Sequence, residues 1–261
     1  MSLLSPNLAR FRVEADMLQP LAENAAALAR NALTLFEIAC TAGIPDMVLV
    51  VPDAAAVTER VGTSSLVEPV DVRLMVAISA VRNPTARGWT LAELAEQSGV
   101  SAQHLRRVVV PRLQDGGHLT SIGERWAPVY RYRSLARRVV TIEAKLRDWR
   151  GAVGQASRHA AVADAAWVAL DAASVSVPLA NEHWFTTYGI GLLSVSTDGD
   201  VEKLILPGAS RARQPGRELL VERAMALHQE GRWSGDIPTV FGQVLLASTG
   251  VDPRLAGVGA R

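Results

Sequence analysis

The sequence predicts an α/β protein in which a mixed sheet flanked by helices is interrupted by a separate helical module. Strand-like apolar runs alternate with amphipathic segments before about residue 52 and again after about residue 135. Between residues 68 and 130 the pattern changes to helices followed by a hairpin. We therefore expect a discontinuous body of residues 1–67 and 131–261, with an inserted domain of residues 68–130.

The composition is typical of a folded protein of a reducing compartment. Of the 261 residues, 49% are hydrophobic and 20% are charged. No apolar run approaches the roughly 18 residues of a membrane span, and the N-terminus lacks the pattern of a signal peptide. We therefore expect a cytoplasmic protein without membrane contact. Cys40 is the single cysteine, which excludes an intrachain disulfide and a cysteine zinc site.

The first part of the body predicts a helix and a pair of strands. Apolar residues recur at helical spacing over residues 9–31. Two β-prone runs follow at residues 33–39 and 47–51, so Asp46 lies at the start of the second strand. The small, polar residues 53–67 predict irregular structure.

The inserted segment predicts three helices and a tight turn. Residues 70–81 suit the first helix, and Thr90 should cap the second, with Glu93 in the position of a capping box. Gly99 permits a tight turn, and Ser101 should cap the third helix.

A hairpin with Gly123 at its turn should follow, over residues 118–130. This order of elements resembles a winged helix-turn-helix domain. Pro111 departs from the usual pattern, because proline should kink the third helix or end it early.

The resemblance to a winged helix-turn-helix implies contacts with DNA. The second helix of such a motif enters the major groove with its N-terminal side chains toward the bases. Here those side chains are Gln103, His104, Arg106 and Arg107, and Gln and Arg can bond adenine and guanine. The alternative is a module for dimerisation or internal packing, since residues 68–130 hold seven arginines against six acidic residues.

The second part of the body predicts further strands and helices. The expected elements are a strand at 139–145, a helix at about 149–163, a strand at 165–171, a helix at 179–187, a hairpin turning at Asp198-Gly199 and a helix at 216–230. The last dozen residues should be loosely ordered.

Glu143 and Lys145 are two residues apart on a predicted strand, so their side chains should share one face. If Asp46 converges with Glu143, the two carboxylates could bind a divalent metal that polarises a phosphodiester. Lys145 could then orient the attacking water or stabilise developing charge. Only Lys145 and Lys203 among the 27 basic residues are lysines, so an amine beside an acidic pair is informative.

Pro45-Asp46 and Glu143-Ala144-Lys145, together with the order of elements around them, resemble the PD-(D/E)xK phosphodiesterase superfamily. The resemblance implies a restriction-endonuclease-like fold and a nuclease that depends on Mg²⁺ or Mn²⁺. It assigns Asp46 and Glu143 to the metal and Lys145 to the attacking water.

The resemblance also implies two supporting residues. The leading helix of the superfamily often supplies another acid, for which Glu14 is the best match and Glu23 the second. The helix after the Glu-x-Lys strand often carries Gln-x-x-x-Tyr. Here Gln155 is followed by His159, so this chain departs from the pattern at the last position.

Basic residues concentrate in residues 131–150, which have a net charge of +5 in a chain whose net charge is +1. Phosphate contacts need such a local excess, and we expect Arg131 and Arg133 to bind DNA. The alternative is a solvated charged face.

These features lead to three functional hypotheses. The first is a DNA nuclease that requires Mg²⁺ or Mn²⁺ and whose winged helix positions DNA. The second is a non-catalytic, DNA-binding transcriptional regulator whose nuclease-like body serves dimerisation or sensing. The third is a protein–protein adaptor. We expect the protein to be a homodimer.

Overall fold

The computed structural model describes residues 9–234, which divide into two units. The first unit comprises residues 9–51, 138–212 and 227–234, and the second comprises Pro52–Arg137 and Arg213–Ala226. The first contains a six-stranded mixed sheet with helices on both faces. The second contains helices and a two-stranded hairpin. The last dozen residues, predicted to be loosely ordered, lie outside the described residues.

Strands and helices are interspersed along the described part of the chain. The strands are β1 (Leu33–Phe36), β2 (Met47–Pro52), β3 (Leu119–Ile122), β4 (Arg125–Pro128), β5 (Ala136–Lys145), β6 (Ala165–Asp171), β7 (Gly191–Val195) and β8 (Val201–Ile205). The α-helices are α1 (Leu18–Glu23), α2 (Ala25–Leu28), α3 (Ala54–Glu59), α4 (Pro69–Ser79), α5 (Leu91–Ser98), α6 (Ala102–His104), α7 (Val110–Asp115), α8 (Trp149–His159), α9 (Ser176–Ala180), α10 (Glu182–Tyr188) and α11 (Gly216–Gln229). Shorter helical turns lie at Glu14–Met17, Pro84–Ala86, Leu105–Val109 and Ala172–Ser174. None of these helices is both long and apolar enough to cross a lipid bilayer.

The sheet of the first unit has the strand order β1-β2-β5-β6-β7-β8. Strands β5, β6 and β7 pair in parallel, whereas β1–β2 and β7–β8 are antiparallel pairs. Every residue of β6 is buried, as expected for a parallel strand covered on both faces. The predicted α/β class with a mixed sheet is therefore confirmed.

Each face of the sheet packs against its own helices because alternate residues of β5 point to opposite sides. Ile142 packs in a core with Met17 and Leu21 from the leading helices. Val168 of β6 packs on the other side with Phe185, in the core that also contains α8. Glu143 belongs to the side that α8 covers.

The prediction of one continuous helix over residues 9–31 is wrong. A short 3-10 turn is followed by α1 and α2, and the two helices are separated at Asn24. The backbone of Asn24 leaves the helical range, and its side-chain amide donates to the carbonyl of Pro20. The strand predicted at 33–39 ends at Phe36, because Glu37 has a φ of 51°.

The irregular structure predicted for residues 53–67 is partly wrong, because α3 forms there. The Asp53 carboxylate accepts hydrogen bonds from the backbone N–H groups of Ala55 and Ala56 and so caps the helix. An N-cap aspartate followed by three alanines is a strong helix start, and that signal was present in the sequence.

Of the two effects predicted for Pro111, a kink or an early end of the helix that Ser101 caps, the early end is wrong. The helical path runs through α6, a π-helical turn at Leu105–Val109, and α7 to Asp115. The N–H of Val110 donates to the carbonyl of Leu105, five residues back. This wider turn places Pro111 at the start of α7, where a missing N–H is tolerated.

The capping signals of the second unit are confirmed. Thr90 Oγ1 accepts from the N–H of Glu93 at 3.3 Å, and the Glu93 carboxylate accepts from the N–H of Thr90 at 2.8 Å. Ser101 caps the following helix through the N–H of His104. Gly99 and Gly123 have φ values of 68° and 61°, which glycine adopts without strain.

A buried ion pair holds the loop after α3 in the second unit. Arg60 Nη1 lies 2.9 Å from Glu222 Oε1, and both side chains are almost completely buried. Glu222 Oε2 also accepts from the N–H of Leu66 at 3.1 Å. The Arg60 guanidinium lies 4.9 Å from the centroid of the Tyr130 ring. Removal of either charge would leave the other buried without its partner.

We expect Glu222→Ala to lower the free energy of unfolding by about 3–5 kcal/mol, the typical cost of breaking a buried pair. Urea denaturation of the two proteins at one pH measures the loss. Glu230→Ala is the matched control, since the Arg232–Glu230 pair is exposed and should matter little. Equal losses in the two variants would contradict the stabilising role of the buried pair.

Candidate active site

Three carboxylates of the first unit surround the amine of Lys145. Lys145 Nζ lies 3.1 Å from Glu143 Oε1, 3.2 Å from Glu14 Oε2 and 3.8 Å from Asp46 Oδ2. Residues separated by up to 131 positions therefore converge at one end of the sheet. The structure brings together four of the five residues that the sequence put forward as catalytic.

Local structure fixes each of these side chains. Glu14 begins the 3-10 turn before α1, and its carboxylate also accepts from the N–H of Leu146 at 3.4 Å. Asp46 immediately precedes β2, and its Oδ2 accepts from the N–H of Ala144 at 2.7 Å. This bond joins the start of β2 to the end of β5, so the Asp carboxylate lies beside the strand that carries Lys145.

Burial makes Glu143 a weaker acid than an ordinary glutamate. Its side chain is 1% exposed, and its pKa is raised to about 7 by burial and by the charge of Asp46, against the opposing effect of Lys145. Burial also raises the pKa of Asp46, although the N–H of Ala144 and the Lys145 ammonium oppose the rise. Glu143 Oε2 makes no hydrogen bond, so one oxygen of this buried carboxylate is unsatisfied.

His159, the departure from Gln-x-x-x-Tyr, lies against Glu143. Its Nδ1 is 3.7 Å from Glu143 Oε2, and this buried nitrogen makes no hydrogen bond. Burial and the nearby Arg158 lower the pKa of His159 to about 4, so the ring is neutral at pH 7. A Cβ on Gly43 would lie 3.2 Å from His159 Nε2, so glycine leaves space for the ring.

No described hydrogen bond joins the two other candidates, Gln155 and Glu23, to the cluster. Gln155 is half-buried on α8, and the described hydrogen bonds include none from it to Glu14, Asp46, Glu143 or Lys145. Glu23 lies on the exposed side of α1, where its carboxylate accepts from Gln19 Nε2. Glu14, the first choice from the sequence, is the acid of the leading segment that reaches the site.

The predicted DNA-contacting side chains of the second unit are on its surface. Gln103, His104, Arg106 and Arg107 are all exposed on the helical segment that follows the Ser101 cap. Their charges and amide groups are therefore accessible to a ligand of this unit.

The basic stretch predicted at residues 131–150 is divided between the two units at residue 137. Arg131 and Arg133 are exposed in the second unit. Arg133 Nη1 is 3.8 Å from Glu59 Oε2, and Arg137 Nε is 3.5 Å from Asp53 Oδ2. Part of the positive charge that the sequence places here is therefore paired with carboxylates.

The carboxylates of the first-unit site suit a hard divalent cation. Within residues 9–234, no group of three or more His, Cys, Asp or Glu is arranged to hold a metal ion. Mg²⁺ commonly takes only one or two carboxylates, with waters and substrate phosphates as its other ligands. Asp46 and Glu143 are the two carboxylates that the sequence put forward for such a role, and Oε2 of Glu143, although buried beside His159, makes no hydrogen bond. Three carboxylates facing one ammonium also favour additional positive charge.

Comparison with known proteins adds no relative to this description. The chain has no significant match among protein-family models, curated proteins or solved structures.

Proposed function

We propose that this protein is a divalent-metal-dependent nuclease that hydrolyses phosphodiester bonds in DNA. The observation that carries the proposal is the position of Lys145 Nζ within 3.8 Å of the carboxylates of Glu14, Asp46 and Glu143. An amine beside two potential metal-binding carboxylates is the arrangement that the resemblance to the PD-(D/E)xK superfamily implies. The mixed sheet and the order of its elements support a restriction-endonuclease-like body.

Each residue of the site has a distinct part in this proposal. Asp46 and Glu143 would hold Mg²⁺ or Mn²⁺, which when bound polarises a phosphodiester and makes water more acidic. Lys145 would orient the attacking water and stabilise negative charge on the phosphate. Glu14 would hold the Lys145 amine in place through its 3.2 Å contact. The same contact reduces the freedom of a long, flexible side chain.

DNA binding would come from the second unit as a winged helix-turn-helix. Three helices followed by the β3–β4 hairpin support that assignment. The exposed Gln103, His104, Arg106 and Arg107 lie at the N-terminal part of the helix that would enter the major groove. Arginine there can contact guanine or phosphate, and glutamine can contact adenine.

Cleavage of labelled DNA tests the catalytic proposal. Purified protein is incubated with Mg²⁺ or Mn²⁺ and with supercoiled, linear duplex or single-stranded DNA, and cleavage is expected only with metal. Asp46→Asn and Lys145→Gln should each reduce the rate by about 100-fold or more. Lys203→Gln is the matched control because it removes the other, exposed lysine of the chain. Absence of metal-dependent cleavage of all three substrates would reject the nuclease.

The ion pairs around Lys145 are also compatible with a second function, in which the site is not catalytic. Lys145 contacts all three carboxylates, and such networks also occur as purely structural features. In that case the protein would be a non-catalytic DNA-binding regulator with a dimerising body. Tight DNA binding without metal-dependent cleavage, combined with an unchanged cellular phenotype of Glu143→Ala, would support the regulator over the nuclease.

The double substitution Arg106→Ala and Arg107→Ala should weaken duplex DNA binding by about tenfold or more and lower its salt dependence, because two phosphate- or base-contacting charges are lost. Fluorescence anisotropy at several salt concentrations measures both effects. Arg73→Ala with Arg82→Ala removes two exposed arginines of the same unit outside this helix. If both double variants lose the same affinity, the recognition-helix assignment is wrong.

A further inference from the structure

An aromatic surface that shares no residue with the carboxylate cluster lies on α10. Trp184 is 37% exposed and Tyr188 is 41% exposed. Their ring centroids are 6.3 Å apart, and the ring planes are inclined by 33°. The side chains are four residues apart on the helix and therefore share one face. We call Trp184, Tyr188 and the adjacent arginines Arg150 and Arg211 the stacking surface.

The core contact of α10 comes from a different residue. Phe185 is completely buried and stacks on Trp149 at 6.1 Å. Trp184 contacts Trp149 in a T-shaped arrangement, with centroids 6.0 Å apart, and lies 6.1 Å from the His183 ring, yet it keeps part of its surface in solvent. Isolated exposed apolar residues are ordinary. Two neighbouring, partly exposed rings on one helix are instead a surface suited to a flat ligand.

Two arginines contact residues that adjoin these rings. The Arg150 guanidinium lies 4.8 Å from the Trp149 ring centroid, and Arg211 Nη2 donates to the carbonyl of Thr187 at 3.2 Å. Both arginines are exposed. Glu182 is on the same helix, but at 100° per residue it lies more than about 100° around the helix from Trp184 and Tyr188. Flat aromatic faces next to guanidinium groups match bases joined by phosphates.

We propose that the stacking surface binds the unpaired bases of single-stranded DNA. Trp184 and Tyr188 would stack on bases, and Arg150 and Arg211 would contact the phosphates between them. Paired bases in a duplex hide their faces, so the surface should select unpaired segments. This inference rests on the proposed nuclease function, for which it names the substrate class: DNA that carries a single-stranded segment or end.

The stacking surface is close to the candidate active site along the chain. Trp149 starts α8 only four residues after Lys145, so the two Cα atoms are at most about 14 Å apart. The Trp184 ring contacts the Trp149 ring, with their centroids 6.0 Å apart. Both sites belong to the same unit. A single strand of several nucleotides held on Trp184 would therefore be long enough to reach the carboxylate cluster.

DNA binding without cleavage tests the stacking surface. All proteins carry Glu143→Gln and are assayed with EDTA, so that no DNA is cut. Fluorescence anisotropy compares a single-stranded oligonucleotide, the same oligonucleotide with abasic sites, and a duplex of equal length. The parent should bind the intact single strand about tenfold more tightly than the abasic strand, because abasic sites keep the phosphates and remove the bases.

The double substitution Trp184→Ala and Tyr188→Ala should weaken binding of the intact single strand by about ten- to a hundredfold and leave duplex binding nearly unchanged. Trp184→Phe with Tyr188→Phe keeps flat rings and should retain most of the affinity, which separates stacking from loss of fold. Val177→Ala with Leu179→Ala removes two exposed apolar side chains of α9 and should have no effect.

Two results would overturn the stacking surface: equal binding of intact and abasic strands by the parent, or unchanged single-strand binding by the alanine double variant. Neither result depends on catalysis. If the wild-type protein fails to cleave DNA while the ring-dependent binding holds, the nuclease proposal fails and the stacking surface stands. If the wild type cleaves DNA and the alanine variant binds as its parent does, only the stacking surface fails.

Discussion

Glu143→Gln is expected to abolish cleavage and to make the stability of the metal-free protein fall less than that of wild type between pH 4.5 and pH 8. Burial and Asp46 raise the pKa of Glu143 from its ordinary value of 4.5 to about 7. The unfolded chain thus loses this proton near pH 4.5 and the folded protein only near pH 7. Folding stability contributed by this group is therefore greatest at low pH and is lost between these values, by about 3 kcal/mol at pH 8. Glutamine is neutral throughout and avoids the loss.

Urea denaturation with EDTA, at pH 8 and at pH 4.5, measures the difference between wild type and Glu143→Gln. The free energy of unfolding of the variant minus that of wild type should be higher at pH 8 than at pH 4.5 by up to about 3 kcal/mol. Its metal-dependent cleavage should fall by about 100-fold or more. Glu23→Gln, an exposed acid on α1, should change neither quantity. If the stability of the variant relative to wild type is instead lower at pH 8 than at pH 4.5, the pKa of Glu143 is not raised.

The local geometry of the site could be predicted because it depends on short-range rules. Glu143 and Lys145 share a strand face because strand side chains alternate, and Asp46 precedes a strand because Gly43 and Pro45 separate the two β-prone runs. The contact between Asp46 and Ala144 requires β2 and β5 to be neighbours. The local sequence pattern does not indicate which strands pair. Only the family resemblance implied that β2 and β5 are neighbours.

Long-range contacts could not be predicted from the sequence. Burial of His159 beside Glu143 depends on the position of Gly43 against α8, which no spacing in the chain reveals. The buried pair of Arg60 and Glu222 joins residues 162 positions apart. The sequence also hides backbone exceptions such as the φ of 51° at Glu37, because glutamate usually avoids this region. In each case tertiary packing overrides the local preference.

The aromatic surface shows the same limit in another form. Trp184 and Phe185 are adjacent in the sequence and both suit a core. In the structure Phe185 is buried and Trp184 is partly exposed, because successive side chains on a helix differ by about 100°. Which of the two faces the sheet depends on where α10 lies over the sheet. A sequence pattern two residues long does not contain that information.

The affinity for Mg²⁺ or Mn²⁺ is expected to fall steeply as the pH drops below about 7. A carboxylate must lose its proton before it can bind metal, so protons and metal compete for the same oxygen atoms. Glu143, with its pKa raised to about 7, is mostly protonated at pH 5. The pKa of Asp46 is raised as well, by burial, and adds to the competition at the acidic end. Apparent affinity should therefore fall about 100-fold from pH 8 to pH 5, close to tenfold for each pH unit below 7.

Isothermal titration calorimetry of Mn²⁺ binding, in buffers of different ionisation enthalpy, measures both the affinity and the protons released. Near pH 7, binding should release about half a proton or more, because roughly half of the Glu143 carboxyls are protonated before metal arrives. In Glu143→Gln this release should be lost and binding should be much weaker, since one of the two proposed ligands is gone. An affinity that is constant from pH 5 to pH 8, or proton release that persists unchanged in the variant, would show that the metal binds without Glu143. The pH profile thus separates a metal site built on the buried carboxylate from surface binding, because exposed carboxylates titrate well below pH 5.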